Sequence, residues 1–334
     1  MPESTEWLWR TYQILRQTDY EKPIQNHEIR KKLMQYGDPP GRKTIGNYIK
    51  DLIELSDKDL IIEEIVEHEE KRHSYYVNHS FLDSEVKLLA DAIASSSFIY
   101  PQHRQDLLRK LGVLYNGNED SIKRLIENIH FYKEERKDYN FQMFTNIEQL
   151  RDAIEEGKKV QFTYLAYDSS KKLIPYKENN DGIKVVNPYK IVWSLSHYYL
   201  FCTNTEGEDK ERFLRVDRMK DIQLLDEPCD PIEGGESTQD YIEKQVFMFG
   251  GENEEVEFRC ENHIANQVVD FFGDRAELRK IDDNHFDVLV QTSQRNIRYW
   301  LLQYITSVSH IRPETLRQQI LKDLREALER NAEQ

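Results

Sequence analysis

The chain has 334 residues, of which 38% are hydrophobic and 32% charged, and its formal net charge at pH 7 is −15. This length allows two or three domains with cores of their own, and the composition excludes a largely disordered chain. Because no run of about 18 apolar residues occurs, we expect no transmembrane helix and no membrane partner. An acidic chain is also not expected to bind nucleic acid indiscriminately, since Lys and Arg supply that affinity.

Several kinds of site are not indicated by the sequence. The N-terminus has no basic region followed by an apolar one, so we expect no signal peptide and a cytoplasmic protein. Cys202, Cys229 and Cys260 are odd in number and lack the Cys-x-x-Cys spacing of a zinc site. The histidines show no metal-ligand spacing, and no phosphate-binding loop or acid–base cluster occurs. We therefore predict no metal, no cofactor and no enzymatic activity.

The first 80 residues have the pattern of three short helices followed by a β-hairpin. Asn26 is a suitable N-cap for the second helix, and the Gly and Pro residues of segment 37–41 must end it. Apolar spacing predicts the helices at 5–17, 27–36 and 42–55, and alternation predicts the hairpin at 60–77. This order is that of a winged helix-turn-helix, so residues 1–80 are predicted to form a DNA-binding domain.

The basic residues of this acidic chain concentrate around the third predicted helix. Segment 22–50 has seven Lys and Arg against two carboxylates, a local charge of +5. Arg and Lys suit guanine edges or phosphates, and Asn pairs with adenine in the major groove. The residues predicted to contact DNA lie opposite the apolar stripe and are Arg42, Lys43, Thr44, Asn47, Tyr48 and Lys50. The alternative is a charged, solvated helix face without a function.

The rest of the chain divides into a helical and two mixed segments. Residues 81–146 are predicted to form a helical connector, with its third helix at 122–129 and a charged junction at 131–146. A short helix ending at Gly157 then leads into five short strands, which predict an Sm- or SH3-like barrel over 147–228. After a linker over 229–253, segment 254–334 alternates strands and helices, as in a ferredoxin-like α+β domain. The predicted fold class is therefore multidomain α+β.

Three arginines follow one another at intervals of three in the last part of the predicted barrel: Arg212, Arg215 and Arg218. The guanidinium group is a rigid fork of donors that suits phosphate or carboxylate. Because side chains alternate along a strand, Arg212 and Arg218 are expected on one face and Arg215 on the other. All three reach one ligand only if the strand bends near Asp217. The alternative is a surface network in which the arginines pair with Asp217 and Asp221.

The order of segments and several motifs resemble the bacterial WYL-domain transcriptional regulators over essentially the whole chain. The signature Trp-Tyr-Leu appears here as Tyr198-Tyr199-Leu200, which keeps an aromatic residue at the first position. The motifs that carry the resemblance lie at 160–164, 186–189, 197–200 and 212–218, and segments 297–300 and 308–316 resemble the C-terminal extension of the family.

The resemblance implies that the barrel binds a regulatory ligand, in several members single-stranded nucleic acid or another phosphate-bearing molecule. Aromatic faces and guanidinium groups also suit such ligands on physical grounds, because they stack bases and hold phosphates. Carried over by position, the predicted ligand-binding residues are Tyr164, Ser196, His197, Tyr199, Arg212, Arg215 and Arg218.

These observations predict a ligand-responsive transcriptional regulator. One recognition helix reads few base pairs, so we expect a homodimer on an inverted-repeat, double-stranded operator. A repressor is favoured over an activator, and the resemblance makes control of phage-defence genes plausible. The alternative from another class is a nucleic-acid-binding accessory factor, whose winged helix binds protein and whose barrel clamps a single strand.

Overall fold

The structure is a computed structural model that describes residues 4–20, 22–55, 60–67, 72–79, 81–116, 138–176, 180–205, 211–232, 237–245 and 247–332. The chain divides into two compact units, Met1–Glu135 and Arg136–Gln334. The third predicted connector helix, at 122–129, and the tip of the hairpin lie outside the described residues.

The first unit begins with three helices around one small sheet. The helices are α1 (Ser4–Leu15), α2 (Asn26–Leu33) and α3 (Arg42–Leu55), and the strands are β1 (Ile24–Gln25), β2 (Leu60–Glu67) and β3 (Arg72–His79) in the order β1-β3-β2. The apolar stripes of the helices meet in a common core, in which Leu15, Ile29 and Ile45 are fully buried. Two helices follow, α4 (Asp83–Ser95) and α5 (Pro101–Asn116).

The second helix differs from the prediction at both ends. It starts at Asn26, with Gln25 as the N-cap, and the side chain of Glu28 accepts a hydrogen bond from the Gln25 N–H at 2.8 Å. The amide of Asn26 donates instead to the carbonyl of Arg42 at 3.1 Å, and so joins the starts of α2 and α3. A 3₁₀ turn, Met34–Tyr36, follows the helix.

The second unit opens with helix α6 (Met143–Glu156), which begins four residues earlier than predicted. Met143 is buried in the structure, and Asn146 is almost fully buried, so the first turn packs inward rather than belonging to a polar junction. Gly157 ends the helix in the left-handed region with φ of 63°, as the predicted glycine C-cap requires. Leu150 and Ala153 then pack into the core of the strands that follow.

Six strands form the sheet that we interpret as a barrel. They are β4 (Lys158–Tyr167), β5 (Leu173–Pro175), β6 (Ile183–Ser194), β7 (His197–Asn204), β8 (Arg212–Arg215) and β9 (Met219–Pro228). The sheet order is β5-β4-β6-β7-β8, and β9 also pairs with β4. Register shifts occur in the β4–β9 and β6–β7 pairs, and such bulges bend strands. The chain therefore has the curvature needed to enclose one core.

The predicted linker folds onto this sheet. It contains a short helix, α7 (Thr238–Glu243), whose Ile242 is buried together with Met248. Both pack against Phe201 and Phe213, on the outside of β7 and β8. The segment is thus an ordered covering of the sheet in the parts that the structure describes.

The C-terminal part has one antiparallel sheet with the order β11-β12-β10-β13. Its elements are β10 (Glu254–Glu261), α8 (Ala265–Phe272), β11 (Ala276–Lys280), β12 (His285–Thr292), α9 (Gln294–Gln303), β13 (Val308–Arg312) and α10 (Glu314–Ala332). The sequence analysis missed β13, a five-residue strand with only two buried residues. Phe258, Phe272 and Trp300 fill the core.

Candidate anion-binding site and candidate nucleic-acid interface

The arginine segment changes direction between its second and third arginine. Strand β8 ends at Arg215, residues Val216–Arg218 form a 3₁₀ turn, and β9 starts at Met219. Side-chain alternation therefore ends at Arg215. Strand geometry no longer determines the direction in which the side chain of Arg218 points. The bend that the sequence analysis requires near Asp217 is present.

A buried amide supports this turn from the leading helix. Asn146, only 1% exposed, donates from Nδ2 to the carbonyl of Met219 at 2.6 Å and to that of Val216 at 3.2 Å. The amide of Asn140 donates to the same Met219 carbonyl. Buried backbone carbonyls need such partners, so Asn146 holds the turn in place. Sequence reasoning missed Asn146, because nothing in its neighbourhood marks it as different from any other helical amide.

Arg215 is held by a carboxylate two residues away. Its Nε and Nη2 donate to Asp217 Oδ1 and Oδ2 at 2.9 and 2.6 Å, and the two side chains are only 22% and 12% exposed. Burial opposes the charge of Arg215, but the carboxylate of Asp217 outweighs it, so the pKa of Arg215 is raised. An incoming anion must therefore share this guanidinium with Asp217.

Arg218 retains free hydrogen-bonding capacity. Its Nε is buried and has no hydrogen-bond partner, and within the described residues its guanidinium takes part in no ion pair. Of the alternative arginine–aspartate network, the described residues form the Arg215–Asp217 pair but no pair with Asp221. Asp221 is bound through its backbone N–H and its side chain to the amide of Gln142, at 3.0 and 3.1 Å. A buried donor without a partner is costly, so an anion beside Arg218 would be stabilised.

Aromatic side chains surround the two arginines. The hydroxyl of Tyr164 accepts a hydrogen bond from the backbone N–H of Arg215 at 3.2 Å. Burial raises the pKa values of Tyr164, Tyr167 and Tyr199, and the positive charges of Arg215 and Arg218 lower each of them in part. All three phenols therefore lie within electrostatic reach of both arginines. Tyr167, which the sequence analysis did not include, belongs to this group.

His197 lies in the same cluster. Its ring centroid is 6.5 Å from that of Tyr199, and its Nδ1 is 2.8 Å from the carbonyl oxygen of Leu195. Burial lowers the pKa of His197 below its ordinary value of 6.5; the bond to Leu195 opposes this shift, and Arg215 and Arg218 add to it. The imidazole is therefore mainly neutral at pH 7 and gains a proton more readily when an anion arrives.

Two predicted ligand-binding residues do not join this cluster. Arg212 lies at the other end of β8, opposite Cys202, whereas Arg215 lies opposite Tyr199, and Arg212 lines a separate cavity. Arg212, which the sequence placed with the other arginines only on condition of a bend, therefore lies apart from Arg215 and Arg218, since the turn realigns only residues beyond β8. Ser196 is exposed in the two-residue turn between β6 and β7, and no contact joins it to the arginines among the described residues.

The predicted DNA-contacting face of α3 is mostly exposed. Arg42, Lys43, Thr44, Asn47 and Lys50 are all exposed. The prediction that Tyr48 lies on this exposed face is wrong. Tyr48 is 9% exposed and packs in the core, because it follows Ile45 by three residues and so lies on the apolar face. Its hydroxyl is 2.9 Å from Ser4 Oγ, so it supports α3 from behind.

The hairpin beside α3 carries acidic residues in its described part. Glu63 accepts hydrogen bonds from Tyr76 and, at 3.2 Å, from Asn78, and Glu64 is 2.6 Å from the ring nitrogen of His73. The raised pKa of Tyr76, about 12, arises first from its bond to Glu63. These carboxylates would repel phosphates, whereas the exposed face of α3 carries positive charge at Arg42, Lys43 and Lys50.

The arrangement in the second unit defines a small β-sheet domain with a cationic and aromatic site. Comparison with known families is specific for this part: residues 145–224 match the model of the WYL domain. The chain is therefore a WYL-domain protein, of mixed α+β structure. The matched range covers Asn146, the aromatic cluster and all three arginines.

Solved structures align over nearly the whole chain. "Proteasome accessory factor B/C (PafBC) of Arthrobacter aurescens" is 15% identical with a TM-score of 0.27, and the alignment covers 94% of this chain and 47% of that one. "Crystal structure of a CRISPR Cas-related protein" is 12% identical with a TM-score of 0.34, and the alignment covers 98% of this chain and 85% of that one. This chain thus spans about half the length of PafBC. No curated protein matches the sequence.

Three further findings concern the parts of the chain that the structure describes. Every helix there is too short or too polar to cross a lipid bilayer. No group of three or more His, Cys, Asp or Glu residues in those parts is placed to hold a metal ion. Burial raises the pKa of the Cys202 and Cys260 thiols to about 12, and all three cysteines are unpaired.

Proposed function

We propose that this protein is a transcriptional regulator without enzymatic activity, which binds duplex DNA through α3 and senses an anionic, nucleic-acid-like ligand through its WYL domain. The observation that carries the proposal is the convergence of Arg215 and Arg218 with four aromatic rings in a chain of net charge −15. Arginine and aromatic faces together favour phosphates and bases. The buried, unpartnered Nε of Arg218 supports the same ligand class.

On this proposal the protein acts as a cytoplasmic homodimer on an inverted-repeat operator, as a repressor within a phage-defence locus. Two-fold symmetry matches two α3 helices to two half-sites. The ligand competes with Asp217 for Arg215 and uses the free donors of Arg218. Its binding would shift the turn 216–218, and a coupling of about 1–3 kcal/mol to DNA affinity is enough for a switch.

The double variant Arg215→Ala/Arg218→Ala tests the ligand site. We expect its affinity for a fluorescein-labelled single-stranded oligonucleotide to fall about 100-fold, because charge-assisted hydrogen bonds contribute about 1.5–3 kcal/mol each. Fluorescence anisotropy measures the affinity. The double variant Arg151→Ala/Arg279→Ala, which removes two exposed arginines of the same unit, is the control and keeps wild-type affinity. Equal affinity in both double variants would refute the site.

The pH dependence of the same binding is a separate prediction. An anion beside His197 raises the lowered pKa of its imidazole, so binding takes up a proton. Affinity for an oligonucleotide without terminal phosphates is therefore expected to rise, up to about tenfold, as the pH falls from about 8 to below the ordinary histidine pKa of about 6.5. Anisotropy titrations at several pH values measure this slope. His197→Gln removes it and His263→Gln, at an exposed position, keeps it; a slope that persists in His197→Gln contradicts the assignment.

A further inference from the structure

A cavity with two arginines in its lining lies beside Arg212, the first residue of β8, away from Arg215 and Arg218. It has a volume of about 600 Å³ and is lined by Arg212 on β8, the segment 248–252, and Arg295 in the first turn of α9. Ligand pockets for small molecules fall in the range of about 300–1,000 Å³. The cavity thus has the size for a small ligand at the junction of the barrel, the linker and the C-terminal sheet domain.

In the described parts of the chain, neither Arg212 nor Arg295 forms an ion pair with a carboxylate. Asn204 can satisfy one edge of the Arg212 guanidinium, at 3.0 Å from Nε and 3.3 Å from Nη2, which leaves Nη1 available. Arg295 has its guanidinium carbon 5.7 Å from the ring centroid of Phe249. Two unpaired guanidinium groups in one cavity favour an anion.

Hydrogen bonds with buried side chains hold the segment 247–250, most of which lines the cavity. Asn296 Oδ1 accepts from the backbone N–H groups of Phe247 and Phe249 at 3.3 and 3.2 Å, and Ser293 Oγ donates to the carbonyl of Gly250 at 3.1 Å. Asn296 and Ser293 are almost completely buried. A Cβ at Gly250 would lie 2.6 Å from the carbonyl oxygen of Glu211, so the segment is in close contact with the end of the barrel. The segment that lines the cavity is therefore attached to α9 on one side and to the residue before β8 on the other.

The remaining lining narrows the class of ligand. Phe249 lines the cavity and is 42% exposed, although the guanidinium of Arg295 lies over part of its ring and Phe247 and Tyr299 contact it from elsewhere. Glu211 and Glu252 also line the cavity, and their carboxylates repel a simple polyanion but accept hydrogen bonds from hydroxyl or amino groups. A suitable ligand thus combines an anionic group, several donors and a planar ring. A mononucleotide combines a phosphate, ribose hydroxyls and a base.

We propose that this cavity is a second ligand site, which binds a mononucleotide with its phosphate on Arg212 and Arg295 and its base on Phe249. The site is separate from the oligonucleotide site around Arg215 and Arg218, and it does not depend on the proposed regulatory function. Because it joins the barrel to α9, its occupation would stabilise one arrangement of these two parts.

Calorimetric titration of the full chain with AMP, ribose 5-phosphate and adenosine tests the proposal. AMP is expected to bind once per chain and at least about tenfold more tightly than either fragment, since each fragment lacks one of the two contacts. Arg212→Ala/Arg295→Ala is expected to weaken AMP binding at least about tenfold. Phe249→Ala is expected to lower the affinity for AMP to about the affinity for ribose 5-phosphate. Absence of AMP binding, or equal affinity for AMP and ribose 5-phosphate, overturns the proposal.

Matched variants separate this site from the barrel site. Arg215→Ala/Arg218→Ala and Arg279→Ala/Arg312→Ala are both expected to bind AMP as the wild type does, because none of these side chains lines the cavity. Thermal unfolding of each variant without ligand shows whether it is folded. If Arg212→Ala/Arg295→Ala does not fold, the single variant Arg295→Ala, at an exposed position, replaces it in the titration. Loss of AMP binding in Arg215→Ala/Arg218→Ala with retention in Arg212→Ala/Arg295→Ala overturns the second site.

Discussion

Reversal of two charges on α3, Lys43→Glu with Lys50→Glu, is expected to lower the affinity for duplex DNA at least about 100-fold. Both side chains are exposed on the face opposite the buried Ile45 and Ile49. Each lysine that contacts a phosphate releases counterions, and a glutamate in its place repels the backbone. The measurement is a gel-shift titration on duplexes that tile the region upstream of the gene, followed by a salt series on the bound duplex. The salt slope of the wild type is expected to exceed that of the variant by about two.

The control must change the net charge equally without touching α3. Lys280→Glu with Lys322→Glu meets this condition, because both lysines are exposed in the C-terminal part, at 73% and 67%. This variant is expected to bind duplex DNA nearly as the wild type does. If the α3 variant binds as tightly as the control, or if the wild type binds no duplex, the first unit is not the DNA-binding part. The accessory-factor hypothesis, in which that unit contacts protein, then gains support.

Removal of one buried amide, Asn146→Ala, is expected to lower the free energy of unfolding by about 2–3 kcal/mol. The substitution takes one of two hydrogen-bond donors from each of the carbonyls of Val216 and Met219: the Val216 carbonyl keeps the Met219 N–H, and the Met219 carbonyl keeps the amide of Asn140. Because these carbonyls flank the turn that carries Arg218, we also expect oligonucleotide affinity to fall at least about tenfold at a temperature at which the variant is folded. Urea denaturation measures stability, and anisotropy measures affinity.

The matched control for this variant is another amide of the same helix. Gln149 donates from Nε2 to the carbonyl of Ile222 at 3.4 Å and is only partly buried. Gln149→Ala is expected to change stability by less than about 1 kcal/mol and to leave affinity unchanged. A loss of stability in Asn146→Ala without a loss of affinity would show that the turn keeps its shape without the amide, and Asn146 would not be a positioning residue.

Part of the fold and site could be read from local patterns. Apolar spacing predicted α1, α3 and the strands around Tyr164 and Tyr199, because burial of one face imposes a period of 3.6 or 2 along the chain. The parity of the arginines also identified Asp217 as the place where a bend is needed for them to share a ligand; a turn is present there, but it brings only Arg218 out of strand alternation and leaves Arg212 apart. The missed strand, Val308–Arg312, has too few buried side chains for a visible alternation, and its position beside β10 supplies its hydrogen bonds.

The sequence by itself determined the chemistry of this protein: an acidic chain with basic residues gathered at Arg42 to Lys50 and arginines at intervals of three beside aromatic strands. Only the tertiary structure decided which of these groups act together. It buried Tyr48 in the core, paired Arg215 with Asp217, and separated Arg212 from Arg218. The physical reason is that residue spacing fixes which face a side chain takes within one element, whereas the turn 216–218 and its support by Asn146 depend on contacts between residues about 70 positions apart.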